Sequence, residues 1–173
     1  MTSEPFIESG MNFSPCLKGH CFCIEKSNTY KKLGKGEKIA EFLLLRQSSQ
    51  LPTVWVVEAK SSSPRLKTHP KFAEFIGEIR DKLVNALTLG VTSCLKRHES
   101  AETELPELFK TLDLRNCDFK LVLIINGHSK NWLPPLLEAL KKALRPTVET
   151  WGLSAKAVAV INDERARQLG LIT

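Results

Sequence analysis

The segment Thr53–Lys60, with the sequence TVWVVEAK, restricts the fold more than any other part of the chain. Its β-branched and aromatic residues favour an extended strand that is at least partly buried. Pro52 precedes the segment and the residues Ser61-Ser62-Ser63-Pro64 follow it, so turn-forming residues bound the strand on both sides. A fold that contains this strand needs a sheet, and other segments must supply the neighbouring strands.

Two strand patterns precede this segment. Residues 20–26 (HCFCIEK) and 38–46 (KIAEFLLLR) are typical of strands, and Gly34-Lys35-Gly36 supplies turn residues between them. Short connections join the three strands in succession. The sequence therefore predicts an antiparallel meander.

Helical and strand patterns alternate in the rest of the chain. Apolar residues three or four apart over residues 72–87 predict a long helix on the sheet, and Gly90 marks its end or a close contact. Residues 97–118 are irregular and predict a surface excursion with a short helix at Glu107–Lys110. The remaining patterns predict a strand over 119–126, a helix over 131–144, a strand over 156–161 and a helix over 164–169 with Asp163 as its N-cap.

These elements predict an α/β fold. We expect a mixed central sheet that begins with an antiparallel three-strand meander, continues through β-α-β-α crossovers, and carries helices on both faces. Residues 1–18 lack periodicity and contain Pro5, Gly10 and Pro15, so we predict an irregular N-terminal arm there. We predict that residues 19–173 form a single domain, because one chain of this length can bury its own core.

Composition restricts the class of protein. The apolar content of 42% and the charged content of 25% are typical of a globular protein. The longest apolar runs, residues 119–125 and 42–45, are too short to cross a bilayer, and residues 1–5 lack the basic start of a secretory signal. Five cysteines, an odd number, are typical of reduced thiols, so we expect a cytoplasmic protein. The net charge of +6 weakly favours polyanionic partners.

Two carboxylates are expected to face each other in the meander. Glu58 and Lys60 share one face of their strand, whereas Trp55, Val57 and Ala59 take the other. If Arg46 pairs with Thr53 across the connecting loop, the same register places Glu41 opposite Glu58, with Cβ atoms about 5 Å apart. Like charges so placed are destabilising unless a cation or a shared proton compensates them. This arrangement is a reason to expect a metal.

A third acid can join the pair. Counting through the turn near residue 33 places Glu25 opposite Glu41 or two residues from it. Carboxylate oxygens are the ligands of hard cations such as Mg²⁺ or Mn²⁺, and we predict a metal site made by Glu41, Glu58 and Glu25. Lys60, on the same face as Glu58, could orient a metal-bound water or offset negative charge on a phosphate.

The succession of three strands, an acid on the second strand, Glu58-Ala59-Lys60 on the third, then a helix and a further strand resembles the PD-(D/E)XK nuclease-like superfamily over residues 20–126. The resemblance implies metal-dependent hydrolysis of phosphodiesters in nucleic acid, with DNA favoured. It makes Glu41, Glu58 and Lys60 the catalytic residues. The chain departs from the family pattern in having Ala40-Glu41 in place of Pro-Asp, and in lacking a helix before Glu25 that would supply a further acid.

Other interpretations remain open. The same fold could act as a catalytically inactive module that binds nucleic acid or protein within a larger complex, and a homodimer or protein partner could complete its groove. Glu-x-Lys on a half-exposed strand is also a common solvated ion pair. Cys16, His20, Cys21 and Cys23 are zinc-ligand types, but their spacing favours reduced structural cysteines.

Basic residues near the Glu-x-Lys strand are candidates for phosphate contacts. Arg65, Lys67 and Lys71 follow the strand directly, and Lys35 lies in the first turn among other lysines. We predict that these four residues bind nucleic acid. His128 follows the strand over residues 119–126, where it lies either near a site at the strand ends or in an exposed loop.

Overall fold

The computed structural model describes residues 4–34 and 36–173, and it has the predicted α/β architecture. Within these residues the structure has seven strands and six α-helices, together with 3-10 helices at Ile24–Lys26, Leu114–Asn116 and Lys130–Trp132. The strands and helices are β1 (Phe6–Glu8), β2 (Met11–Phe13), β3 (Cys21–Phe22), α1 (Asn28–Lys31), β4 (Phe42–Arg46), β5 (Thr53–Lys60), α2 (Lys71–Cys94), α3 (Ala101–Glu104), α4 (Glu107–Lys110), β6 (Asp118–Ile125), α5 (Leu133–Thr150), β7 (Val158–Asn162) and α6 (Asp163–Gln168).

The central sheet has five strands in the order β3-β4-β5-β6-β7. Strands β3, β4 and β5 pair antiparallel, which confirms the predicted meander, whereas β5, β6 and β7 run parallel. Arg46 pairs with Thr53, as the register argument assumed. Because parallel strands need a crossover, the helices α2 and α5 separate β5, β6 and β7 along the chain.

The first strand of the meander is shorter than predicted. The prediction of a strand over residues 20–26 holds only for Cys21–Phe22, because a 3-10 helix begins at Ile24 and α1 follows it. The side chain of Ser27 caps α1 by accepting a hydrogen bond from the Tyr30 backbone N–H at 3.0 Å. The Glu104 carboxylate accepts a hydrogen bond from the Thr29 backbone N–H at 3.0 Å. These side-chain acceptors satisfy backbone donors that a strand ladder would otherwise use.

One face of the sheet is covered by α2 and α5. Buried residues of α2 recur with helical spacing, and α5 buries Leu136, Leu140 and Leu144 four residues apart. Gly90 does mark a close contact, because a Cβ added there would lie 2.6 Å from Leu43 Cδ1. The helix α2 therefore lies directly on β4 and can approach it closely only because residue 90 has no side chain.

The other face is covered by α6 and by an N-terminal hairpin made of β1 and β2. The prediction of an irregular arm was wrong for residues 6–13, which pair antiparallel from Phe6↔Phe13 to Glu8↔Met11. The ring of Phe13 is 2% exposed, stacks on Phe6 at 5.0 Å and meets Phe42 edge-on at 5.2 Å. Aromatic burial of this kind secures a hairpin that has only three pairs of residues.

The C-terminal elements agree with their predicted order. The short helix at Glu107–Lys110 forms within the surface excursion, and Pro134 and Pro135 lie in the first turn of α5. The N-cap of α6 is Asn162 rather than Asp163, since Asn162 Oδ1 accepts a hydrogen bond from the Arg165 backbone N–H at 3.0 Å. Within residues 4–34 and 36–173, none of the helices combines the length and apolar character that crossing a membrane requires.

Candidate functional site

The candidate site lies where β5 ends and β4 begins. Side chains alternate along β5, so Val54, Val56 and Glu58 point to the face that α2 covers. Glu58 is therefore not on a solvated face: its side chain is fully buried. Burial without a partner would strongly disfavour a carboxylate, and α2 supplies a partner through Lys82.

Glu41 reaches the same region from the start of β4. It directly precedes Phe42, which pairs with Val57, so Glu41 lies near the end of β5, where the negative charge of Glu58 acts on it. Its backbone N–H donates to Val57 O at 3.0 Å, which places the end of the ladder one residue out of register. Glu41 is 9% exposed.

Three carboxylates meet at Glu41. Glu8, Glu25 and Glu41 each offer an oxygen within 4.8 Å of the others, and we call these residues the acid cluster. Glu25 joins from the 3-10 helix and its backbone N–H points to Glu41 O at 3.5 Å. Of the three predicted metal ligands, Glu25 and Glu41 belong to this cluster and Glu58 does not, and Glu25 lies on a 3-10 helix rather than on a strand. Glu8 was not predicted, because its strand was taken for an irregular segment.

Two lysines compensate the negative charge of Glu58. Lys60 Nζ lies 3.4 Å from Glu58 Oε1 and 3.0 Å from Glu78 Oε1. Lys82 Nζ lies 2.9 Å from the same Glu58 oxygen. Glu78 and Lys82 were not predicted, although their spacing of four residues puts them on one side of α2 next to its apolar face. Glu58 Oε1 is therefore held by two cations from two different elements.

The pKa of Glu41 is raised to about 9. Burial is the largest cause, followed by the hydrogen bond with Glu25 and by the negative charges of Glu58, Glu25 and Glu8. Repulsion from Glu58 was expected, and it contributes less than burial. Burial also raises the pKa of Glu58, while Lys82 and Lys60 act in the opposite direction. The acid cluster therefore binds a proton readily when no other cation compensates its charge.

Burial alone would lower the pKa of Lys82. The hydrogen bond and charge of Glu58, with the charges of Glu41 and Glu25, outweigh burial and raise the pKa overall. Lys82 thus keeps its proton and remains a fixed positive charge beside Glu58.

The donor set fits a hard divalent cation. Only carboxylates make up the acid cluster, and Mg²⁺ or Mn²⁺ prefers oxygen ligands. Glu58 Oε2 is buried and has no hydrogen-bond partner among the described residues. A buried carboxylate oxygen without a donor is costly, and a cation bound by Glu58 would satisfy it. An added positive charge would also relieve the repulsion that raises the pKa of Glu41.

The predicted basic residues lie beyond the end of β5. Arg65 and Lys67 are exposed and line a cleft of about 280 Å³. Lys71 is the first residue of α2 and is exposed. Lys35, the fourth predicted contact, lies outside the described residues.

His128 lies near the ends of the parallel strands, as one of its two interpretations held. Its Nε2 is 2.7 Å from Ser63 Oγ, and the ring meets Trp132 edge-on at 5.5 Å. Burial lowers the pKa of His128, which is half-buried. The histidine is thus neutral near pH 7 and fixes the loop that follows β5.

The zinc interpretation finds no support in the described part of the chain. The one group of metal-ligand side chains there consists of Glu8, Glu25 and Glu41. His20 Nδ1 lies 2.9 Å from the backbone oxygen of Leu45, which occupies that ring nitrogen. The five cysteines are of intermediate exposure, and none of them forms a disulfide within the described residues.

Comparisons with known proteins add little. The sequence matches no protein-family model and no curated protein. The fold is similar to a solved structure of the restriction endonuclease FokI, with a TM-score of 0.37 and 16% sequence identity. The match covers 75% of this chain and 19% of that chain. At this level it suggests a distant likeness in fold, and it carries no conclusion about activity.

Proposed function

We propose that this protein hydrolyses phosphodiester bonds of nucleic acid with the help of Mg²⁺ or Mn²⁺. The observation that supports the proposal best is a group of acids in which Glu58 lies 3.4 Å from Lys60, its Oε2 is buried without a donor among the described residues, and its charge acts on Glu41. Such a cluster disfavours the folded state unless a cation or a substrate interacts with it. The preference for DNA comes from the family resemblance and from no feature of this site.

The metal would be held by Glu41, Glu25 and Glu58, as predicted, together with Glu8. When bound, the cation supplies a Lewis acid and lowers the pKa of coordinated water. The chain supplies the position of these carboxylates. Lys82 holds Glu58 through Oε1 and leaves Oε2 free to act as a ligand.

Lys60 is the residue best placed to interact with the scissile phosphate. Its Nζ is shared between Glu58 and Glu78, which keeps the ammonium group at the end of β5. An ammonium so positioned can donate a hydrogen bond to a phosphate oxygen and stabilise the charge that develops there. Arg65, Lys67 and Lys71 would bind the flanking phosphates, since they follow Lys60 along the same edge of the fold.

The test is cleavage by the full chain of plasmid, linear duplex and single-stranded substrates. Each substrate is incubated with Mg²⁺, with Mn²⁺ and with chelator. We expect metal-dependent cleavage by the wild type and a loss of at least about 100-fold in Lys60→Ala, which removes transition-state charge stabilisation, and in Glu58→Gln, which removes a metal ligand. Lys120→Ala is the matched control, because Lys120 belongs to the adjacent strand and pairs with Trp55, five residues before Lys60. Equal cleavage by Lys60→Ala and Lys120→Ala would refute the assignment of Lys60.

A second function is favoured by the Lys82–Glu58 pair. Lys82 Nζ at 2.9 Å already supplies a positive charge to the buried Glu58 carboxylate. In a protein that binds a partner without catalysis, this ammonium group can take the place of a metal. The protein would then be a catalytically inactive module that binds nucleic acid or a protein partner, including a second copy of this chain. Absence of cleavage under every condition, together with thermal stability that does not respond to Mg²⁺ or Mn²⁺, would favour this module.

A further inference from the structure

A cleft beyond the end of β5 is lined by aromatic, basic and apolar side chains rather than by acids. It is formed by the loop after β5, from Ser63 to Lys67, and by the start of α5 around Trp132, and its volume is about 280 Å³. We call it the Trp132 cleft. Its size is at the lower limit of ligand pockets, so it fits one small planar group rather than a large ligand.

The aromatic side chain in this cleft is unusually accessible. Trp132 is 48% exposed, although a large apolar ring is normally covered in a folded protein. The guanidinium group of Arg65 lies over the ring at 4.7 Å from its centroid. His128 meets the ring edge-on, and Ser63 fixes the imidazole through its 2.7 Å contact. These contacts hold the indole and the guanidinium in place while both remain in contact with solvent.

The charges around the cleft favour an anionic strand. Arg65 and Lys67 belong to the lining, and no carboxylate is among the described residues that line it. Phosphates of a nucleic acid complement this arrangement. A planar base has a π-face that stacks on indole rings and on guanidinium planes.

The chain connects the cleft to Lys60. Ser63 follows Lys60 by three residues, and the end of β6 is tied to Lys60 by the hydrogen bond from the Asn126 backbone N–H to Lys60 O at 2.9 Å. A strand that places one phosphate at Lys60 would therefore carry a neighbouring nucleotide towards Trp132. Within a duplex both faces of a base are covered by its neighbours, so only an unpaired base can use such a platform.

We propose that the Trp132 cleft binds an unpaired nucleobase by stacking on Arg65 and Trp132, and that the preferred substrate is single-stranded or locally unpaired nucleic acid. The proposal rests on the proposed nuclease function for the position of the adjacent phosphate. Stacking itself requires no metal and no cleavage. DNA and RNA offer the same bases, so both are arms of the test.

The experiment measures binding of the full chain to fluorescent oligonucleotides by anisotropy, in chelator so that no cleavage occurs. The probes are a single DNA strand, the RNA strand of the same sequence, the corresponding DNA duplex, and the DNA strand with an abasic site at each position in turn. We expect tighter binding to the single strands than to the duplex. At one position, an abasic site should weaken binding of the wild type and leave binding of Trp132→Ala unchanged.

Trp132→Ala should weaken single-strand binding by about 5- to 150-fold, the range known for loss of one stacked base. Trp151→Ala is the matched control, because Trp151 lies at the opposite end of α5 and is 37% exposed. Arg65→Lys keeps the positive charge and removes the guanidinium plane. It should therefore bind the intact single strand more weakly than the wild type does. On the strand whose abasic site weakens wild-type binding, Arg65→Lys and the wild type should bind equally well. Thermal melts of all variants verify that they fold.

Two outcomes would overturn the proposal. One is equal single-strand affinity of Trp132→Ala and Trp151→Ala, and the other is duplex binding as tight as single-strand binding, which would leave only phosphate contacts. Failure of the proposed function looks different. If the wild type never cleaves but Trp132→Ala binds single strands more weakly, the stacking cleft exists and the nuclease proposal fails. If the wild type cleaves and Trp132→Ala binds single strands as the wild type does, the nuclease proposal holds and the stacking proposal fails.

Discussion

Glu41 and Glu58 are both buried carboxylates, yet their surroundings give them different electrostatic roles. Glu58 has two lysines within 3.4 Å, whereas the neighbours that raise the pKa of Glu41 are themselves acids. Charge on Glu58 is thus compensated by the chain. Around Glu41, burial and the neighbouring acids outweigh the attraction of Lys82 and raise the pKa, so the acid cluster is the part of the site that should respond to pH and to metal.

A first prediction concerns pH. The pKa of Glu41 is about 9 in the folded protein against 4.5 ordinarily, so the folded state binds this proton more tightly than the unfolded state. Its stabilising contribution is complete below pH 4.5 and is lost as pH rises towards 9. In chelator, the free energy of unfolding of the wild type should fall over this range, by up to about 1.4 kcal/mol per pH unit from this one proton.

Glu41→Gln keeps a neutral group at every pH, so its stability should depend less on pH than that of the wild type. Urea unfolding at pH 5, 7 and 8.5 measures the difference, and Glu74→Gln, an exposed acid on α2, is the control. Parallel pH profiles for the wild type and Glu41→Gln would show that Glu41 ionises normally.

A second prediction concerns Glu58→Gln. The opposed carboxylates alone suggest that this change ends a repulsion and stabilises the metal-free protein. The pairing of Glu58 with Lys82 at 2.9 Å reverses the expectation, because the amide leaves a half-buried ammonium group without its anion. We expect a loss of about 3 kcal/mol in the free energy of unfolding. Adding Lys82→Met to Glu58→Gln should restore most of the lost free energy of unfolding, because no unpaired ammonium group remains. If the effects of the two substitutions simply add in the double variant, Glu58 and Lys82 do not stabilise each other.

At the scale of elements, the packing of α2 on β4 depends on Gly90. A Cβ at this position would meet Leu43 Cδ1 at 2.6 Å, so Gly90→Ala forces the helix or the Leu43 side chain to move. We predict a destabilisation of about 1–3 kcal/mol. Gly77 lies in the same helix with open space around it, so Gly77→Ala should stabilise the protein by about 1 kcal/mol. Urea unfolding of both variants measures the two effects, and a Gly90→Ala protein as stable as Gly77→Ala would disprove the tight contact.

Elements with strong local signals were predictable from the sequence. The strand Thr53–Lys60 has its predicted bounds because β-branched residues and flanking turn residues agree on them. The segment around Glu25 was not predictable, since its 3-10 helix and α1 depend on Ser27 as a cap and on Glu104, which is distant in sequence. The β1–β2 hairpin also escaped prediction, because three-residue strands are too short for periodicity and are secured by distant aromatic contacts.

At the scale of the whole molecule, the site is assembled from segments that are far apart in the chain. The register of the β4–β5 hairpin was predicted correctly from Arg46↔Thr53 to Phe42↔Val57, and it places Glu41 near the end of β5. Glu8 and Lys82 required the docking of the N-terminal hairpin and of α2, and no local pattern encodes either. Sequence reasoning could therefore predict the pairing of the adjacent strands that position Glu41 and Glu58. The rest depended on tertiary packing.

The last prediction follows from this assembly. Because the acid cluster joins β1, the 3-10 helix and the start of β4, a bound cation should stabilise the whole fold against global unfolding. At a Mg²⁺ or Mn²⁺ concentration tenfold above the dissociation constant the gain should be about 1.4 kcal/mol. Glu8→Gln removes one ligand, and a tenfold loss of affinity would reduce the gain at the same concentration to about 0.4 kcal/mol. Glu4→Gln is the matched control, since Glu4 is exposed on the same segment and lies outside the cluster. Thermal and urea unfolding across a metal titration measure the gain for each protein, and equal gains in Glu8→Gln and Glu4→Gln would remove the N-terminal hairpin from the metal site.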